Sequence, residues 1–234
     1  MRNFHSDDQE TRCTSPGRPY LIGYNAEKKL AVKRQPNCNQ WSCPHCAKEK
    51  QREWYLLTAR GAKLYLESGS TLRFLTLTAR PEKTTSATLL SFAAGWPKLS
   101  KRIRREAGTW EYVAVAEMHK SGKMHMHVIG TCSVTSHWLH ENAYKCGLGY
   151  MAKSIAVGSG NQCGAYVTKY LAKSLTVSAW PANFRRVRRS QGWPPLPAPT
   201  LLDGWEWLTL WSEGQADFEL AALVNCGYKP LTDA

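Results

Sequence analysis

The sequence predicts an α+β protein in which a central antiparallel sheet is flanked by helices, with a cysteine-rich segment at the N-terminus. Three observations indicate this fold class. Hydrophobic residues make up 43% of the 234 residues, which is enough for a sizeable core. Strand-like and helix-like segments are mixed along the chain, and residues 111–118 and 124–130 form two predicted strands around a short turn. Such a hairpin is antiparallel.

The elements follow from local patterns. A long helix begins at Pro44, because proline is tolerated in a first turn. Residues 71–79, TLRFLTLTA, alternate in polarity and are rich in β-branched residues, as a strand requires. The remaining predicted elements are strands at 20–24, 30–32 and 150–157, and helices at 86–107 (bent near Gly95 and Pro97), 135–145 and 162–175.

Beyond these elements lie a basic cluster, RRVRR, at 185–189 and a Pro-rich connector, GWPPLPAPTL, at 192–201. An acidic, Trp-rich tail follows and is predicted to end in a short helix closed by Gly227. We therefore divide the chain into a cysteine-rich segment with a long basic helix (1–68), a central domain (69–190), and a connector with its tail (191–234).

The net charge of +13 is unevenly distributed. Residues 201–234 carry six acidic and one basic residue, so residues 1–200 have a net charge of +18. A body this basic predicts a polyanionic partner, by default nucleic acid, although a generally cationic surface is the alternative. We expect neither export nor membrane insertion, because the first residues lack an apolar stretch and no run approaches the ~18 apolar residues of a membrane span.

Four of the eight cysteines have the spacing of a metal site. Cys43-Pro-His-Cys46 is a C-x2-C pair at a helix start, and such a turn directs two thiolates to one point. The predicted zinc ligands are Cys13, Cys38, Cys43 and Cys46, of which Cys13 is the weakest, with His45 and His5 as substitutes. A closed site of this kind is structural rather than catalytic. The alternative is a group of buried thiols.

A histidine pair and a carboxylate are predicted to share one face of the hairpin. His125 and His127 flank Met126 in a strand, so both imidazoles point to the same side. If residues 120–122 form a three-residue loop, Glu117 lies opposite His125 and Val115 opposite His127. The pair alone is equally consistent with two structural histidines. Together with Glu117, however, it forms a mixed N/O set suited to Mn²⁺ or Mg²⁺ acting on a phosphate.

Two tyrosines follow on a predicted helix. In GAYVTKYLAKS, Tyr166 and Tyr170 are four residues apart and share a face, and each is followed after three residues by a lysine, Lys169 or Lys173. An amphipathic helix that packs two aromatic rings explains this pattern equally well. Tyrosine is also a known covalent nucleophile, although its pKa near ~10 means that attack at neutral pH needs activation.

The segments FLTLTAR (74–80), HMHVIG (125–130) and YVTKYLAK (166–173) occur in the order found in HUH endonucleases. The chain resembles the two-tyrosine rolling-circle replication initiators of single-stranded DNA phages and small plasmids, some of which also carry a Cys-Pro-x-Cys knuckle. The resemblance covers about residues 38–190. It implies the HUH fold, with the histidine strand in the middle of the sheet and the tyrosine helix across it.

The resemblance also implies roles for the candidate residues. Glu117, His125 and His127 would hold a divalent metal, and Tyr166 or Tyr170 would attack the scissile phosphate. Lys169 and Lys173 would offset the developing negative charge. The implied partners are single-stranded origin DNA and the host helicase and polymerase, in the cytoplasm of a prokaryotic host.

Three alternatives remain open. A relaxase or a single-tyrosine transposase of the same superfamily would share the chemistry, and a non-enzymatic zinc-containing DNA-binding regulator would share the charge and the cysteines. Two further features are undecided between binding and packing. One is a row of basic residues at helical spacing: Lys98, Lys101, Arg102 and Arg105. The other is a set of tryptophans that either stack on DNA bases or pack: Trp96, Trp110, Trp180 and Trp193.

Overall fold

The structure is a computed structural model, and it describes Cys13, residues 18–119, 123–175, Trp180, 184–197 and 204–231, without the side chains of 173–175. Two compact units result, one formed by residues 1–49 with 197–234 and the other by residues 50–196. The elements in chain order are β1 (Tyr20–Asn25), β2 (Leu30–Arg34), α1 (Pro44–Glu67), β3 (Leu72–Thr78), α2 (Thr85–Ala107), β4 (Tyr112–Met118), β5 (Met124–Thr131), α3 (Ser136–Lys145), β6 (Ala152–Ala156), α4 (Gly160–Leu175), β7 (Val187–Arg189), β8 (Trp205–Leu210), α5 (Glu213–Asn225) and β9 (Lys229–Pro230).

The unit formed by residues 50–196 contains a five-stranded sheet in the order β6-β3-β5-β4-β7. Every neighbouring pair is antiparallel, and the histidine strand β5 lies in the middle. The predicted α+β class and the central position of this strand are therefore confirmed. The predicted register is confirmed as well, since Glu117 pairs with His125 and Val115 with His127. The loop 120–122 that motivated this register lies outside the described residues.

One face of this sheet is covered by α2 and α3. The apolar side of α2, including Phe92, Leu99 and Ile103, packs with Leu75 and Met126 of the sheet in one buried cluster. The helix continues through Pro97. Gly95 is required at its position because a Cβ atom there would lie 2.8 Å from the Cys146 carbonyl oxygen. Trp96 and Trp110 are buried in the same cluster, so these two tryptophans pack.

The opposite face carries α4, which reaches α1 through two glycines. A Cβ on Gly160 would lie 2.5 Å from the Ala59 carbonyl oxygen, and a Cβ on Gly164 would lie 2.8 Å from the Tyr55 ring. Without these side chains the two helices approach closely, and α4 is held over the strands that carry the histidines. Trp193 is fully buried and donates from Nε1 to the Leu57 carbonyl of α1 at 3.3 Å, so it packs as well.

The other unit joins the N-terminal segment to the C-terminal tail in a four-stranded sheet, in the order β8-β1-β2-β9. The pairing of β8 with β1 is antiparallel from Tyr20↔Leu210 to Asn25↔Trp205. The compact units thus divide the chain at different points from 1–68, 69–190 and 191–234, because the tail pairs with a strand near the other end of the sequence. The predicted tail helix is present as α5, and Gly227 has a φ of +87° just after it. Over the described residues, no helix combines the length and the apolarity that crossing a bilayer requires.

Candidate active site and cysteine cluster

The two histidines of β5 lie on the α4 face of the sheet and contact threonines of β3. Strand pairing places Thr76 beside His127 and Thr78 beside His125. Accordingly, the Nδ1 atoms lie 3.5 Å from Thr76 Oγ1 and 3.4 Å from Thr78 Oγ1, respectively. A hydroxyl at Nδ1 orients the ring and leaves Nε2 as the nitrogen for a ligand. Sequence reasoning missed both threonines, although the alternation in FLTLTAR puts them on one face.

Glu117 reaches His127 rather than His125, its partner in the strand register. Glu117 Oε2 lies 2.8 Å from His127 Nε2, and both residues are buried. This spacing also suits a shared cation, since two ligand atoms each ~2.1 Å from one ion at a right angle are roughly 3 Å apart. The chemistry of the pair, an imidazole nitrogen and a carboxylate oxygen, therefore fits a divalent metal.

His125 completes the trio less closely. Its ring centroid is 6.3 Å from that of His127, with the planes 18° apart. Within the described part of the chain, the trio does not bring all its ligand atoms within 4.8 Å of one another, whereas the four cysteines do. His119 at the end of β4, which sequence reasoning also missed, has its ring 6.3 Å from that of His125. The structure thus brings Glu117 and His127 into contact and places His125 beside them.

Tyr166 of α4 points its hydroxyl at the same histidine. Tyr166 Oη lies 3.2 Å from His127 Nδ1 and 3.2 Å from Thr76 Oγ1, and its ring stacks on Phe74 at 4.1 Å. Burial raises the pKa of Tyr166 well above its ordinary value, and the contact with Thr76 offsets this in part. The hydroxyl is consequently held in its neutral form and needs activation before it acts as a nucleophile.

Tyr170 lies one helical turn further along α4. Its ring stacks on the His127 ring with centroids 3.4 Å apart, and it is 4.8 Å from the Tyr166 ring. Lys169 is exposed, with Nζ 5.7 Å from the centroid of the Tyr170 ring. The side chain of Lys173 lies outside the described residues. Both tyrosines therefore converge on His127, with one cation beside them.

The cysteine cluster lies in the unit formed by residues 1–49 and 197–234. Sγ atoms of Cys38 and Cys46 are 3.4 Å apart, those of Cys13 and Cys43 are 3.6 Å apart, and all four lie within 4.8 Å of one another. Four thiolates ~2.3 Å from a tetrahedral zinc ion are roughly 3.8 Å apart, so this arrangement can hold such a metal. Burial raises the pKa of Cys46 to about 12, and hydrogen bonds within the cluster add to this effect. None of the eight cysteines, all of them described, is in a disulfide.

The fold and the histidine–tyrosine site lie in the part of the chain that resembles a known family. Residues 72–175, from the start of β3 to the end of α4, match the family model of the replication-associated protein ORF2. This segment includes Glu117, both histidines and both tyrosines. No curated protein and no solved structure matches the chain. In this central segment, the chain is therefore similar to replication-associated proteins.

Proposed function

We propose that the protein is a rolling-circle replication initiator that nicks and rejoins single-stranded DNA through a covalent 5′-phosphotyrosine bond. One observation carries the proposal. Two tyrosines on one helix meet a histidine that is itself bonded to a carboxylate, within the segment that matches a replication-associated family. A structural aromatic pair has no need of a buried His–Glu contact beneath it.

The reaction is a transesterification at phosphorus. The oxygen of Tyr166 or Tyr170 attacks the scissile phosphate, the bond from phosphorus to the 3′ oxygen breaks, and the tyrosine proton ends on that oxygen. The 5′ phosphate remains on the tyrosine and the free 3′ hydroxyl primes a polymerase. In the reverse direction a 3′ hydroxyl attacks the phosphotyrosine and releases a joined strand. The reaction consumes no oxidant or nucleotide cofactor.

The residues around the tyrosines have separate tasks in this proposal. Glu117, His125 and His127 would hold Mn²⁺ or Mg²⁺, which supplies polarisation of the phosphate when bound. Thr76 and Thr78 orient the two imidazoles. Lys169 stands beside Tyr170 and, together with Lys173, offsets charge that develops on the phosphate oxygens.

Two tyrosines within reach of one site allow alternating cuts. While one tyrosine carries the covalent strand, the other is free to attack the regenerated origin, and strand transfer then closes a circle. The proposed partners are therefore single-stranded origin DNA and the host helicase and polymerase, in the cytoplasm of a prokaryotic cell. The cysteine cluster is proposed to bind zinc and to stabilise the unit that contains it.

The decisive experiment captures the covalent adduct. Random-sequence single-stranded oligonucleotides labelled at the 3′ end are incubated with the protein and Mn²⁺, and covalent complexes are separated under denaturing conditions. We expect labelled protein, a tyrosine–DNA adduct by mass spectrometry, and a preferred cut site when captured strands are sequenced. His125→Ala combined with His127→Ala, or excess chelator, should abolish the adduct while DNA binding persists. DNA binding by the wild type without any adduct would instead support the non-enzymatic regulator.

A further inference from the structure

The exposed side of α2 forms a basic cleft on the sheet face opposite the histidines. The cleft has a volume of about 240 Å³ and its basic residues are Lys98, Lys101, Arg102 and Arg105 of α2 with Lys145 of α3. A neighbouring cleft of about 570 Å³ shares Lys101 and Arg105, and it adds Arg104 and the ring of Tyr112. We call these six basic residues the α2 basic band.

The band has no acidic counterpart in the described part of the chain. No carboxylate there lies within 4 Å of the five basic groups on α2, and Lys145 meets Glu141 only at 3.9 Å. Arg102 donates to Asn142 Oδ1 at 3.0 Å, which fixes one guanidinium toward α3. Like charges three and four residues apart on a helix repel each other. A bound polyanion would relieve that repulsion.

Strand alternation separates the band from the proposed reaction site. Along β4, Tyr112 and Ala114 face α2, whereas Val115 and Glu117 face the opposite side with the histidines. A phosphate held by the band therefore lies across the sheet from a phosphate at His127. One nucleotide cannot occupy both positions.

The edge strand β7 adds basic groups to this face. Arg188 pairs with Ala114, so its side chain points to the α2 side of the sheet. Its guanidinium lies 5.6 Å from the centroid of the Phe184 ring, and Arg186 lies 5.5 Å from that of Trp180. Phe184 and Trp180 pack against the same core as α2. The positive surface thus continues from the band to the sheet edge.

The shape of the band indicates an extended ligand. Lys98 and Arg105 are seven residues apart, which corresponds to about 10 Å along a helix. A single phosphate needs only two or three donors at one point, whereas a row of this length suits consecutive phosphates of a nucleic acid backbone. Backbone contacts position DNA without reading its sequence.

We propose that the α2 basic band binds the phosphate backbone of a second DNA segment, which is held on the opposite side of the sheet from the strand being cut. The identification of the polyanion as DNA rests on the proposed function. Duplex and single-stranded DNA share the phosphodiester chemistry, so the test compares both. The site would keep the protein on the replicon while the strand at the tyrosines is cut and released.

The test removes three charges from the band and three from elsewhere. Lys98→Gln, Lys101→Gln and Arg105→Gln are combined, since all three are exposed; Arg102 is kept because it bonds to α3. The matched control combines Lys28→Gln, Lys63→Gln and Lys229→Gln, also exposed, with the same change in net charge. Affinities for random-sequence duplex and single-stranded oligonucleotides are measured by fluorescence anisotropy over a range of salt concentrations.

The band variant should show a slope of log K against log[salt] that is less negative by about 2–3 on the favoured DNA form, because each lost phosphate contact removes roughly 0.7–0.9. The control should keep the wild-type slope, and the adduct yield of the band variant on short oligonucleotides should stay within about twofold. Equal slopes for band variant and wild type on both DNA forms would overturn the inference, as would an equal loss in the control. A missing adduct in the wild type would instead refute the proposed chemistry and leave this comparison readable.

Discussion

Single hydroxyl groups organise the candidate site. Thr76 Oγ1 lies between His127 Nδ1 and Tyr166 Oη, so one side chain contacts both the proposed metal ligand and a proposed nucleophile. Thr78 has the corresponding position at His125. Partners at the outer nitrogen of a metal-binding imidazole hold the ring orientation and its tautomer. The two threonines are therefore positioning residues rather than catalytic ones.

The first prediction at this scale concerns Thr76→Val, which preserves shape and removes the hydroxyl. We expect the Mn²⁺ affinity to fall about 10- to 100-fold, because the imidazole of His127 loses its outer partner. Isothermal titration of Mn²⁺ into the protein measures this without any DNA. The adduct yield should recover in part at high Mn²⁺ concentration, which a general loss of folding would not allow.

Thr168→Val provides the matched control, since Thr168 Oγ1 donates to a carbonyl within α4 at 2.9 Å and makes no contact with the histidines in the described structure. Unchanged Mn²⁺ affinity in Thr76→Val would refute the positioning role. A similar loss of affinity in both variants would assign the effect to stability.

At the scale of elements, the sequence predicts well where each strand depends on its neighbours along the chain. The β4–β5 register follows from a short turn and from alternation, and it is confirmed. The strand β7 was missed because RRVRR has no apolar alternation; it forms only because Val113–Val115 offers an open edge. The strand β8 was missed because its partner β1 is far away in the sequence. Long-range pairing is the information that a local pattern lacks.

The tyrosine helix provides the second prediction of the Discussion. Both rings contact His127, so either hydroxyl can serve one phosphate after small adjustments of α4. We expect Tyr166→Phe and Tyr170→Phe each to retain some adduct formation, and the double variant to form none. Strand joining should fall in both single variants, because a covalently occupied tyrosine cannot make the second cut. Denaturing gels of adducts and of joined products measure the two steps separately.

Tyr144→Phe is a suitable control, because Tyr144 is exposed on α3, and α3 covers the other face of the sheet. If one single variant lost all cleavage while the other joined strands normally, the protein would be a one-tyrosine enzyme. That result would favour the relaxase or transposase alternative.

At the scale of the whole molecule, charge divides between the two compact units. Residues 50–196 carry 22 basic and 7 acidic residues, net +15, whereas residues 1–49 with 197–234 carry 9 basic and 11 acidic residues, net −2. The sequence indicated a basic body and an acidic tail. The structure assigns the excess to the unit with the histidines and the α2 basic band. The other unit contains the cysteine cluster and has no charge suited to DNA binding.

This division leads to the last prediction, which concerns metal removal. All four clustered cysteines lie in the unit of residues 1–49 and 197–234, whereas β5 belongs to the other unit. Purified protein should contain stoichiometric zinc. A zinc chelator, or Cys43→Ser, should speed amide hydrogen exchange around residues 38–46 and lower thermal stability, because the ligand set is opened. Amides of β5 should stay protected, since the sheet core around Met126 needs no metal.

Cys226→Ser is the matched control for that prediction, because Cys226 is exposed and lies outside the cluster. It should bind zinc and exchange amide hydrogens as the wild type does, and Cys43→Ser should retain adduct formation at temperatures where it is folded. Loss of adduct before any loss of stability would give the cysteines a direct part in the chemistry. Protein without zinc, and with wild-type exchange in Cys43→Ser, would show that the four thiols are only packed together. The N-terminal unit would then owe its stability to the pairing of β1 with β2 and β8 alone.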